Sequence, residues 1–214
     1  MQRIYLLSPA FCGGPRARLL MSSRAEFDLA RKLRGPEGAS LGETFSFLSG
    51  LYFRGKVAYA GSFASPPPGM PGTLVITPRF GLRAAEEVVT LAFLRRLARV
   101  PIDPSDARYR RPLLRDARRI AAEAGPECLF VLLGSIATDK YVAILSEAFG
   151  GRLRFPAEFI GRGDMSRGGL MLRRVEEGRP LQYIQVDGTS RHGPRPCRLD
   201  PRGRPTSARA RLRA

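Results

Sequence analysis

The apolar pattern of the chain is densest at Cys128-Leu129-Phe130-Val131-Leu132-Leu133, an unbroken run that suits a strand buried on both faces. Small and polar residues follow, Gly134-Ser135-Ile136-Ala137-Thr138-Asp139-Lys140. Then Tyr141, Val142, Ile144, Leu145, Ala148 and Phe149 recur at helical spacing. The stretch reads as strand, turn and helix. Shorter apolar runs at 4–7 and 73–77 predict further strands, 152–155 is a short strand candidate, and 181–186 reads as a last strand.

Helical periodicity fills the spaces between them. Ser23-Arg24-Ala25-Glu26 has capping-box spacing before Phe27, Leu29, Ala30 and Leu33, and Gly35-Pro36 stops that helix. Ser40-Leu41-Gly42-Glu43 repeats the signal before Phe45, Leu48, Leu51, Tyr52, Val57 and Tyr59, a segment that Gly50 and Gly55 can break in two. Thr90 reads as the N-cap of a helix ending at Val100-Pro101. Residues 112–124 carry Leu113, Ala117, Ile120 and Ala124 on one face, and 165–175 predict a last helix. Strands alternating with helices predict an α/β fold: a three-layer sandwich with a mainly parallel central sheet and helices on both faces. One domain over 1–187 is expected. From 188 onward Gly, Pro and Arg dominate, which predicts a disordered tail.

Charge adds a second theme. The formal net charge of this 214-residue chain is +17, but residues 191–214 alone hold eight arginines against Asp200, which places +7 on the tail. The rest is almost entirely arginine, which coding bias toward GC-rich codons also produces. Cys12, Cys128 and Cys197 are far apart, so neither a disulfide framework nor a metal site is indicated. The only histidine is His192, in the tail, so histidine-based catalysis inside the domain is excluded and acid–base work falls to Asp, Glu, Lys, Tyr or water. No run of eighteen apolar residues predicts a membrane span, and the start reads as a strand rather than a secretory signal. A cytoplasmic location is expected.

Candidate chemistry lies at the strand ends. Ser8, Gly13 and Gly14 follow the first strand, where paired glycines permit a sharp turn or close approach to a ligand. Gly134-Ser135-Ile136-Ala137-Thr138-Asp139-Lys140 matches neither a Walker loop nor a dinucleotide fingerprint, and no cofactor is expected. Its Gly134, Ser135, Thr138 and Lys140 offer amides, hydroxyls and a cation at a helix start, although capping alone explains the hydroxyls. In Gly161-Arg162-Gly163-Asp164-Met165-Ser166-Arg167-Gly168-Gly169, a glycine-rich loop, Arg162, Gly163, Ser166 and Arg167 suit phosphate or carboxylate recognition. Asp164 suits a general base, a ribose ligand, or the counter-ion of Arg162 or Arg167. Asp139 is the second acid–base candidate.

The layout of Leu7-Ser8-Pro9-Ala10 with Cys12-Gly13-Gly14, Leu51-Tyr52-Phe53, Ile76-Thr77-Pro78-Arg79-Phe80-Gly81-Leu82 and Gly134-Ser135 resembles a family of uncharacterised bacterial proteins. These are remotely similar to the uracil-DNA-glycosylase type of α/β sandwich. The resemblance implies nucleotide or nucleobase binding and carries over no catalytic residue, because the water-activating and uracil-reading motifs are missing. The sequence therefore points to a nucleotide, nucleobase or other phosphorylated ligand at strand-end loops, in a hydrolase or transferase. The alternative is a non-enzymatic nucleic-acid-binding protein that uses its arginine-rich surface and tail.

Overall fold

Buried apolar runs need partners for every backbone amide and carbonyl, and here the ladder between them sets the architecture. A computed structural model of the chain describes residues 1–189 together with Gly193, Pro194, Pro196 and Leu199. It begins with β1 (Arg3–Leu7), followed by two short helices, α1 (Pro15–Met21) and α2 (Asp28–Arg34). The two-residue β2 (Ala39–Ser40) leads into α3 (Leu41–Ser49) and α4 (Leu51–Phe63). A hairpin of β3 (Thr73–Thr77) and β4 (Gly81–Ala84) comes next, then β5 (Val88–Val89), α5 (Leu91–Leu97) and the long α6 (Ala107–Glu123). The chain continues through β6 (Leu129–Leu133), α7 (Asp139–Phe149), β7 (Leu153–Pro156), α8 (Asp164–Glu176) and β8 (Tyr183–Gln185).

The main sheet has the order β4-β3-β1-β6-β7-β8, and β2 pairs with β5 separately. β3, β1, β6 and β7 are parallel, and the edge strands β4 and β8 run antiparallel to their neighbours. From β1 the chain crosses to β3 on one side, then returns over β1 to β6 on the other. The crevice between the carboxyl ends of β1 and β6 is thus the point where strand order reverses, the place where open α/β sheets hold their ligands.

Strand alternation assigns the two faces. Tyr5 of β1 meets Tyr59 of α4 edge-on at 5.7 Å, so α4 covers the Tyr5 face. Ile4 is in register with Phe130 on the opposite face, where Phe130 stacks on Phe149 of α7 at 3.9 Å. α6 packs beside α7, and α8 lies against α4. The expected three layers are present.

The α4–α8 contact is closer than side chains would allow. A Cβ at Gly55 would fall 2.8 Å from the Gly168 carbonyl oxygen, and one at Gly168 would fall 2.9 Å from Leu51 O and Tyr52 Cα. The two helices cross backbone to backbone because both positions lack a side chain. The segment is divided into two helices as the sequence predicts, at Gly50, whose φ is +66°, while Gly55 lies inside α4 and does not break it.

Other differences have local causes. The hydroxyls of Ser40 and Thr90 accept the amides of Glu43 and Phe93 as expected. Ser23 caps nothing: α2 starts at Asp28, and α1, with Pro15 at its first position, was not foreseen. α6 begins at Ala107 because Asp106 accepts the Arg108 amide at 2.8 Å, so Pro112 sits inside the helix rather than at its start. Of the loop 161–169, only the part to Gly163 is loop; Asp164 opens α8. The tail expectation, and His192 with it, falls almost wholly outside the described residues. Of those described, Pro194 lies against Gly161, and Leu199 is half-buried against Gly169 and the core.

The crossing makes a direct prediction. Gly168→Ala should destabilise the protein by about 1–3 kcal/mol, since the helices must move apart. Gly61→Ala, on exposed open ground in the same α4, should stabilise it by about 0.5–1 kcal/mol. Urea midpoints for both variants check this; equal effects would mean the crossing tolerates a methyl group.

Candidate functional site

β1 ends at Leu7, and Ser8 continues the ladder by one step, its amide donating to Leu133 O at 3.2 Å. That places the Ser8 hydroxyl at the switch point, 6% exposed. Lys56 reaches the same spot from the middle of α4. Its side chain is 1% exposed, and Nζ lies 2.6 Å from Ser8 Oγ and 2.9 Å from Ser8 O. Nζ also sits 4.1 Å above the Tyr52 ring, with Phe53 at 5.0 Å.

Tyr141 arrives from α7 on the other face. Its hydroxyl accepts the Ser135 amide at 2.9 Å and lies beside Ser8 Oγ. Gly134 makes this convergence possible, because a Cβ there would stand 2.8 Å from Ser8 Cβ and 2.9 Å from the Tyr141 hydroxyl.

Burial dominates the electrostatics. Lys56 has its pKa lowered to about 7, chiefly because its ammonium has lost its water; Asp164 pulls it up and Arg167 pushes it down. Tyr141 and Tyr52 are raised by the same desolvation, so both hydroxyls stay protonated at neutral pH. The Tyr52 hydroxyl is buried with no hydrogen bond of full geometry; the Arg167 guanidinium beside it acts on it by charge and by a weaker side-chain hydrogen bond.

These groups line a pocket of about 390 Å³ that also includes Phe11, Ile102, Ser135, Lys140 and Asp164. A second chamber of about 450 Å³ adjoins it, walled by Cys12, Gly13, Pro78, Leu97, Val100 and Pro101, and shares Phe11, Ile102 and Lys140 with the first. Phe11 is 74% exposed, its ring resting on Gly13 and Gly14.

The structure thus gathers Ser8, Ser135, Lys140 and Asp164 around one pocket, beside Gly134, and puts Gly13 in the adjoining chamber. It does not bring the arginines there. Arg167 is 7% exposed and donates to Phe159 O at 3.1 and 3.2 Å, with Asp164 3.5 Å from its guanidinium. Arg162 donates to Glu158 O and to Ser166 Oγ, so Ser166 is a partner of Arg162 rather than of the pocket. Gly163 caps α8, Gly14 caps α1, and Thr138 precedes α7 with no side-chain capping bond. Asp139 is the first residue of α7 and is not among the residues lining the pocket. Elsewhere many arginines are engaged, as where Arg110 and Arg118 clasp Glu147.

Sequence reasoning missed Lys56, Tyr52 and Tyr141. A signal for Lys56 exists: it stands four residues after Tyr52, three after Phe53 and three before Tyr59, in the centre of an apolar helical stripe. Among the described residues no cluster of His, Cys, Asp and Glu could hold a metal ion, and no helix is long and apolar enough to cross a membrane. No protein-family model, curated protein or solved structure matches the chain.

The buried amine has a thermodynamic signature. Because the folded pKa of about 7 lies below the ordinary 10.5, the unfolded chain binds more protons between those values. Stability should therefore rise with pH across that window. Comparing urea unfolding at pH 7 and pH 9, the wild type should gain about 2 kcal/mol relative to Lys56→Met. Parallel pH dependences in the two proteins would show that Lys56 is not held neutral.

Proposed function

We propose that the pocket at the switch point is the working site of the protein. It takes a small nucleotide-like, nucleobase-containing or otherwise phosphorylated ligand, in an enzyme of the hydrolase or transferase kind. The observation that carries this reading is the Tyr52 hydroxyl, buried with no hydrogen bond of full geometry on a residue that lines the pocket, with Lys140 in the same lining. A buried hydroxyl without a partner costs about 1–3 kcal/mol. A ligand acceptor would recover that energy. Lys140 supplies the charge for an anionic group, and the exposed ring of Phe11 offers a face on which a planar base can stack. Of the two candidate carboxylates, Asp164 is the one placed to meet a sugar hydroxyl or to assist proton transfer.

The test is a panel of nucleosides, nucleotides and sugar phosphates screened by thermal shift, with affinities from calorimetry. Lys140→Ala should weaken binding of a phosphorylated hit by about 1.5–3 kcal/mol. Tyr52→Phe should weaken it too, with little change in the stability of the ligand-free protein, since the hydroxyl it removes makes no hydrogen bond of full geometry. A panel with no hits, or hits indifferent to both substitutions, would end this reading.

A further inference from the structure

We propose that Ser8 is a nucleophile activated by Lys56, and that the substrate is a carboxylic ester of a phosphorylated or nucleotide-like alcohol. The inference rests on the pocket being a small-molecule site and adds its chemistry. A neutral amine has two N–H groups and one lone pair, and the surroundings of Lys56 match that set. One N–H is directed to Ser8 O at 2.9 Å, and the Tyr52 ring, 4.1 Å away, receives the other. As an ammonium Lys56 donates to Ser8 Oγ across 2.6 Å; once neutral, its lone pair is left to accept the Ser8 hydroxyl proton over that same distance. Nucleophile and base within hydrogen-bond reach of each other are the signature of covalent catalysis, and a desolvated lysine is a known solution where histidine is missing.

Neither histidine nor cysteine competes for the role. The only histidine is His192. Cys12 is buried, burial pushes its thiol up to about 12, and its Sγ donates to Ala10 O. The groups facing Lys56 are Ser8 from the end of β1, Tyr52 and Phe53 from its own helix, and Asp164 and Arg167 from α8, while Tyr141 of α7 meets the Ser8 hydroxyl. Asp164 and Arg167 act in opposite directions on the amine, and burial decides its state.

The two chambers give the substrate its parts. The wall of Leu97, Val100 and Ile102 suits an apolar acyl group, and Lys140, shared by both chambers, suits the anionic alcohol. Ser8 Oγ bonds to the ester carbonyl carbon while its proton passes to Lys56 Nζ. The Tyr52 hydroxyl, held protonated, is the donor available to the carbonyl oxygen as it becomes an oxyanion. The carbon–oxygen bond to the alcohol then breaks, and the Lys56 ammonium returns the proton to the leaving oxygen. Water attacks the acyl-serine, gives one proton to Lys56, and releases the acid as Ser8 recovers that proton. No oxidant or metal is needed.

The experiment is labelling of the full-length protein with a fluorophosphonate, followed by peptide mapping, alongside hydrolysis of p-nitrophenyl acetate and octanoate. A single adduct on Ser8 is expected, with a labelling rate that rises with pH through about 7, the value for Lys56. Ser8→Ala should give no adduct, and octanoate should be the better ester. Lys56→Met should lose at least a hundredfold in labelling rate, on the order of 3 kcal/mol. Should that variant not fold, Ser8→Cys keeps Lys56 in place. Its introduced thiol should then be alkylated by iodoacetamide at pH 7 at least tenfold faster than an ordinary thiol. Nucleotide binding with Ser8 unlabelled, or labelling that ignores Lys56, would overturn this chemistry and leave the pocket reading standing. Labelling of Ser8 without nucleotide binding would support the chemistry and remove the nucleotide from the substrate.

Discussion

Two glycines set the geometry on which the site depends. At Gly55 and Gly168 the backbones of α4 and α8 approach so closely that a methyl group on either would meet a main-chain atom below 3 Å. That approach seals the α4 side of the sheet and takes Lys56, the next residue after Gly55, out of water. It also brings Arg167, the residue before Gly168, close to the Tyr52 hydroxyl and to Lys56. Ordinary helix packing holds axes 8–10 Å apart with side chains between them. A wider crossing would admit solvent to the amine and undo the desolvation that lowers its pKa.

Topology does the rest. β1 and β6 are adjacent and parallel, and the chain leaves them in opposite directions across the sheet. Ser8 and Ser135 are therefore delivered to one crevice by strands separated by more than a hundred residues of sequence. α4 supplies an amine from one face and α7 a phenol from the other. Tyr141 of α7 could not keep its place beside Ser8 if Gly134 carried a side chain, since that Cβ would occupy the space of both Ser8 Cβ and the Tyr141 hydroxyl.

What the sequence revealed follows the range of the interactions. Apolar runs and capping hydroxyls act over a few residues, and β1, β3, β6 and the caps at Ser40 and Thr90 were legible from them. Ser8, Ser135, Lys140 and Asp164 could be nominated because strand-end loops gather on one edge of a parallel sheet. The direction of an arginine side chain was not legible. Arg167 looked free for a phosphate, yet its neighbour Gly168 draws it into the helix interface, where Phe159 O takes its guanidinium. Lys56 was overlooked because a lysine in a helix is usually solvated, and only its place on the stripe of Tyr52, Phe53 and Tyr59 argued otherwise.

Helix α4 carries two buried polar clusters, and the contrast between them separates structure from chemistry. Tyr59 joins Tyr183 at 2.6 Å, accepts the Leu181 amide at 2.6 Å, and through Tyr183 is linked to Tyr5 at 2.7 Å. Every hydroxyl in that cluster has a partner, and the network ties α4, β1 and β8 together. One turn earlier Lys56 keeps an ionisable amine in a desolvated place, and one turn before that Tyr52 keeps a buried hydroxyl with no hydrogen bond of full geometry. Both arrangements oppose folding, and an apolar residue at either position would fit the core without that cost. Unfavourable groups held in place by favourable packing, converging on a pocket at a switch point, are what a reactive site requires of its scaffold. The tyrosine cluster anchors to β1 and β8 the same helix, α4, that carries the lysine to Ser8.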